Sequence, residues 1–242
     1  MTQPHPPDAI HTRFPVGLEQ GPDGSILAHS LSVPGCTAAG GTAQAAVAAF
    51  EGALHEWLAF LAAAGEPVPA ADAELEIAVD EWVSTDTDVA AGESTACFVA
   101  DLPALGEDEI ARGLRRLGDL RGRLLERVRR QPPAVLDAES EAGWTVRQIL
   151  EELARAGWWT LSRLGASPMA EVPDGTLGRL DTSIALAVQA FAHMPADRRG
   201  MRLEIDGEEW TPRKVLRRLL WQEWALGRAA ASALAPVTGG MG

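Results

Sequence analysis

The sequence predicts an α+β N-terminal domain, a small antiparallel sheet with one long helix, followed by an all-α antiparallel four-helix bundle. Three observations predict it. Short alternating segments broken by glycine and proline surround one alanine-rich helical run in the first part of the chain. Four segments with apolar residues at three- and four-residue spacing fill the second part. A phrase also occurs twice there: Trp144-Thr-Val-Arg-Gln-Ile-Leu recurs as Trp210-Thr-Pro-Arg-Lys-Val-Leu, each copy opening a helix.

Residues 1–12 are rich in proline and polar residues and predict a tail without structure. Arg13 to Gln20 predicts a short strand. Gly21-Pro-Asp-Gly24 is a turn, because glycine and Asp-Gly supply positive φ. Ser25 to Leu31 is the return strand, and Val33-Pro-Gly-Cys36 a second turn. Thr42 is an N-cap for the run Ala43 to Ala64, in which Val47, Phe50, Leu54, Leu58 and Leu61 form one stripe. Gly65 and Pro67 end it. Leu75 to Trp82 and Thr95 to Leu102 predict two more strands around a polar loop. Leu102-Pro-Ala-Leu-Gly106 is the expected linker between domains at 13–103 and 105–234.

Glu107 to Arg130 predicts the first bundle helix, acidic at its start and rich in arginine at its end, as the helix dipole favours. Its arginines suit an acidic surface, the chain's own N-terminal half included. Pro132-Pro133 stops it. Thr145 to about Leu164 is the second helix, opened by the capping box Thr145/Gln148. Leu177 to His193 is the third. Asp206-Gly207 marks a small hairpin. Thr211 and Pro212 open the fourth helix, which runs to about Leu234 and is followed by a tail, 235–242.

Composition narrows the class. The net charge is −13, and its distribution is uneven: residues 1–104 hold one basic residue, Arg13, against fifteen acidic ones. Such a half repels phosphates, which argues against nucleic acid as a partner, and would steer basic protein toward itself; on charge alone the blander reading, that it only keeps the protein soluble, is preferred. No apolar stretch is expected to reach the roughly 18 residues of a membrane span. The first residues lack the basic and apolar regions of a signal peptide. With only Cys36 and Cys97, this fits a reducing cytoplasm.

Gly17-Leu-Glu, Pro22-Asp-Gly-Ser-Ile-Leu-Ala-His-Ser, Val33-Pro-Gly-Cys, Gly40-Gly-Thr and Gly65-Glu-Pro-Val-Pro together resemble the N-terminal domain of HicB-type antitoxins. The resemblance covers about 13–69 well and 70–103 loosely. It implies a protein partner, such as a small basic toxin-like ribonuclease. HicB antitoxins usually continue into a small DNA-binding domain, whereas this chain continues into helices.

The two Trp-Thr helices resemble the second and fourth helices of the DinB-like family, and 105–234 resembles that family throughout. The resemblance implies three metal-binding histidines on those helices. Here their positions hold Glu152, Gln222 and Leu226. Leucine donates nothing and a glutamine carbonyl is a weak transition-metal ligand, so no metal or other cofactor is expected. Three readings remain open for the stripe Thr145, Ile149, Glu152, Ala156 and its partner Val215, Leu219, Gln222, Leu226. One is a polar pair, Glu152 to Gln222, filling the vacated site, and this is preferred. Another is a rebuilt divalent transition-metal site from Glu152, Glu223 and His193. The last is Glu152 raised in pKa by burial and acting as general base.

The expected function is accordingly a non-catalytic binding or regulatory protein. The alternative is a metal-dependent hydrolase or thiol-dependent transferase, with Glu152, Gln222 and Glu223 as catalytic candidates. A further alternative uses the tryptophans. The chain has eight and no tyrosine, and Trp144, Trp159, Trp210 and Trp221 are candidates for a pocket holding a small apolar or planar ligand. Core packing is the bland reading of the same residues, with Trp144 and Trp210 as hydrophobic staples before their cap threonines. A homodimer is compatible with both resemblances.

Overall fold

The computed structural model describes residues 12–141, 143–166 and 173–234, so the expected tails lie outside the described residues except for Thr12. The protein is α+β, with a small mixed sheet, one long helix among its strands, and then several helices. The chain divides into two compact units, Met1–Phe98 and Val99–Gly242.

In the first unit, β1 (Arg13–Gln20) and β2 (Ile26–Ser30) form the expected hairpin. A third strand, β3 (Thr37–Gly40), pairs antiparallel with β2 directly after the expected Val33–Cys36 turn, where no strand was expected. Thr42 caps α1 (Ala43–Ala63), its hydroxyl accepting from the Ala45 N–H at 3.2 Å. Phe50, Leu54, Trp57 and Leu61 make the buried stripe of α1, which packs over β2 and β3. By length and composition α1 could cross a membrane, with a mean hydropathy of 1.2 over its most apolar window, so the expectation of no such stretch is corrected.

The sheet order is β3-β2-β1-β4, and β4 (Glu76–Ser84) runs parallel to β1. The antiparallel sheet expected from the sequence is therefore corrected to a mixed one. The reason is the crossover: α1 carries the chain back along the sheet, so β4 enters from the same end as β1. No strand forms over 95–102. The amides of Thr95 and Ala96 donate instead to the Glu19 carboxylate, at 2.7 and 3.0 Å, and a 3-10 turn follows at Val99–Asp101. Phe98 lies flat against Gly17, where an added Cβ would come within 2.5 Å of the ring.

The second unit contains α2 (Glu107–Arg129), a one-turn α3 (Pro133–Leu136), α4 (Val146–Ser162), α5 (Thr176–Ala192) and α6 (Pro212–Ala233). Helix α4 packs on α5 and α6, and α2 packs on the same two helices. The prolines expected only to stop α2 also open α3, since proline suits a first helical turn. The capping box of α4 is complete: Gln148 N–H donates to Thr145 Oγ1 at 3.1 Å, and Thr145 N–H to Gln148 Oε1 at 2.8 Å. The small hairpin is β5 (Leu203–Ile205) and β6 (Glu208–Trp210), turning through Asp206 and Gly207 at φ 58° and 80°.

The turn that leads into the stretch expected as linker is anchored at Asp101. Arg217 binds the Asp101 carboxylate with two hydrogen bonds, 2.9 and 2.7 Å, both side chains buried. The Thr211 hydroxyl donates to the Asp101 carbonyl at 2.7 Å. This buried pair ties the 3-10 turn to the start of α6.

Candidate functional site

The three positions matched to metal ligands do not converge on one point. Glu152 accepts two hydrogen bonds from Arg155, one turn on, at 2.8 and 2.5 Å, and its side chain is 28% exposed. Gln222 accepts from the Thr160 hydroxyl at 3.2 Å. Leu226 packs on the apolar core formed by Leu124, Val128, Leu150 and Leu153. The expected Glu152–Gln222 pair is thus replaced by two separate pairs. An arginine at i+3 reaches Glu152 along its own helix surface and holds it at the rim. His193 caps the C-terminus of α5 and is exposed.

Besides Asp101, Glu223 is a buried acid of this unit. Arg121, from α2, donates Nε to Glu223 Oε1 at 2.7 Å and its terminal nitrogen to Oε2 at 2.8 Å. Both side chains are buried, and the fork-to-carboxylate geometry satisfies both oxygens. The same guanidinium reaches the Leu180 carbonyl and the Ser183 hydroxyl on α5. One ion pair thereby joins α2, α5 and α6. A small cleft borders it, lined also by Leu117, Leu153, Gly157 and Gln222. Each oxygen of the Glu223 carboxylate is engaged by Arg121, and the pair acts as a tie between helices. Among the described residues, no group of three His, Cys, Asp or Glu side chains could hold a metal ion, so the donor set does not fit the ion the DinB-like resemblance implies.

The tryptophan candidates separate. Trp159 and Trp210 meet edge to face, ring centres 5.5 Å apart. Arg163 lies 4.3 Å and Arg218 5.0 Å from the Trp159 ring centre, and Lys214 lies 4.5 Å from that of Trp210. Glu208 pairs with both Lys214 and Arg218, at 2.8 and 3.2 Å. This cluster fastens the β5–β6 hairpin to the first turns of α6. Trp144 stands at the opposite end of α4 from Trp159, about 22 Å away along the axis, and is 48% exposed. It is therefore no buried staple and no wall of the same pocket. Trp221 is buried about three turns along α6 from Trp210.

A second polar cluster, with no forecast in the sequence, lies in the first unit. Glu19 on β1 and His29 on β2 are diagonal neighbours, both fully buried, with His29 Nε2 3.0 Å from Glu19 Oε2. The Ser94 hydroxyl donates to the same oxygen at 2.6 Å. Burial alone would raise the Glu19 pKa. The hydrogen bond to His29, the charge that ring carries when protonated, Ser94 and the Thr95 amide outweigh it, and Glu19 sits at about 2. The carboxylate lies between serine and histidine, not beyond the histidine, so this is no nucleophilic triad. It is a staple that holds 94–96 against the sheet. Cys36 and Cys97 form no disulfide.

A further surface feature is β4. It sits at the sheet edge with Val79 46% and Trp82 51% exposed, among Glu76, Asp80 and Glu81.

No family model, no curated protein and no solved structure matches this chain.

Proposed function

We propose that this chain is a cytoplasmic, non-catalytic binding or regulatory protein. Its first unit is a HicB-like domain that holds a basic protein partner. Its second unit is a DinB-like antiparallel four-helix bundle whose metal site has lost its ligands. The observation that carries the reading is the charge of the first unit: one basic residue against fourteen acidic ones across residues 1–98. The separation of Glu152, Gln222 and Leu226 supports the loss of metal.

Two experiments test it. Elemental analysis of untagged protein, with zinc, nickel, manganese and iron titrations, should find no stoichiometric metal. A tightly held ion would put the enzyme reading first. Co-purification at low salt should yield a basic protein that is released as salt rises. Its absence would count against the partner-binding half of the reading.

A further inference from the structure

Edge strand β4 has features that the sheet does not need for its own stability. Parallel register places Phe14 beside Ile77, Val16 beside Val79 and Leu18 beside Trp82. Side-by-side residues share a face, and Phe14, Val16 and Leu18 are all buried on theirs. The apolar face therefore continues outward onto β4. Helix α1 packs over β2 and β3, toward the opposite edge of the sheet from β4, and Val79 and Trp82 stay half exposed. Trp82 is held in place, since its indole N–H donates to Gln20 Oε1 at 3.1 Å.

The backbone of β4 is also directional. Glu76 N–H donates to the Thr12 carbonyl, and Thr85 N–H to the Gln20 carbonyl, so these residues face β1. A register shift lies between Val16 and Gly17. Alternation then turns the amides of Ile77 and Val79, before the shift, and of Trp82 and Ser84, after it, toward the open edge. The strand is nine residues long and has no proline; its bulge and its carboxylates oppose pairing with a like-charged edge.

We propose that β4 is a strand-addition site for an extended basic segment of a partner protein, a proposal that rests on the reading of the first unit as a partner-binding domain. Charge chooses the occupant. Glu76, Asp80 and Glu81 lie on the strand, Arg13 pairs with Asp80 and Glu76, and residues 1–98 hold fourteen acidic residues to that one basic residue. A second copy of the chain would bring like charges together, whereas alternating lysine and apolar side chains would meet carboxylates and the Val79–Trp82 surface.

The test uses the full chain and a rhodamine-labelled synthetic nonapeptide, (Lys-Val)4-Lys, read by anisotropy at low salt. Controls are an aspartate–valine peptide and a lysine–valine peptide N-methylated at alternate residues. Strand addition requires that N-methylation weaken binding at least tenfold with charge unchanged. Trp82→Ala with Val79→Lys should weaken it similarly, in a variant shown by its urea midpoint to remain folded. Bound peptide should slow amide exchange at Ile77, Val79, Trp82 and Ser84, and leave Ala78 unchanged. If the methylated peptide binds within twofold of its parent, strand addition fails and a merely acidic binding surface survives. If no lysine–valine peptide binds, or the aspartate peptide binds equally, the partner-binding reading fails with it. A dimer of the protein alone that Trp82→Ala dissociates would assign the edge to a second copy and overturn the proposal.

Discussion

Replacing Glu19 with glutamine keeps its shape and removes its charge. The carboxyl has an ordinary pKa of 4.5 and is held at about 2 in the fold. A folded-state pKa below the unfolded one stabilises the protein fully above pH 4.5, and the benefit is lost as pH falls toward 2. At roughly 1.4 kcal/mol per pH unit the shift corresponds to about 3 kcal/mol. That is a large share of the ~5–15 kcal/mol that stabilises a typical domain. Glu19→Gln should therefore lower the stability of the first unit by about 3 kcal/mol at pH 7, with the difference closing below about pH 3. With a urea slope of about 1–3 kcal/mol per molar, the midpoint should fall by roughly 1–3 M. Amide resonances of Gly17 and Ala28, both in paired strands, would follow this unit alone. Equal midpoints at pH 7, or a gap that persists unchanged to pH 2, would refute the charged-staple account.

Other substitutions probe the second unit and the Phe98 contact. Arg121→Met strands a buried carboxylate and should cost about 3–5 kcal/mol, while Arg121→Met with Glu223→Leu should recover most of it in the same urea titration. Gly17→Ala drives a methyl into Phe98 and should destabilise by about 1–3 kcal/mol, partly relieved when Phe98 is shortened to leucine. Thr145→Ala removes the cap of α4 and should cost about 1 kcal/mol, seen as faster amide exchange in the first turn of that helix.

Much of the architecture was legible in local chemistry. Cap threonines, Asp-Gly turns and apolar stripes placed α1, α2, α4, α6 and both hairpins to within a few residues, because those features are decided by neighbours along the chain. What depended on distant contacts was not legible. The direction of β4 is set by the crossover through α1, and the course of 94–98 by a carboxylate on β1. The site was misread for a related reason. Helix α6 is buried on nearly every side over its first turns, so a stripe drawn through Leu219, Gln222 and Leu226 does not single out its inner face. A better signal lay on α2: Arg121 stands four residues after Leu117 and three before Leu124, on the apolar stripe. A buried arginine requires a carboxylate, and Glu223 provides it.

The parallel pairing of β1 with β4 also sets an order of assembly. Strands β1 and β2 can close as soon as Ser30 has been made, but β1 gains its other neighbour only when the chain has reached Ser84. At synthesis rates of about 5–20 residues per second, that delay is roughly 3–11 s. Throughout it, the side of β1 that β4 will occupy stands open beside a long loop still to be closed. A neighbouring nascent chain can place its own β4 there with identical register. The misassembly this topology predicts is a strand-exchanged dimer, to be sought by sizing the refolded protein at high and low concentration.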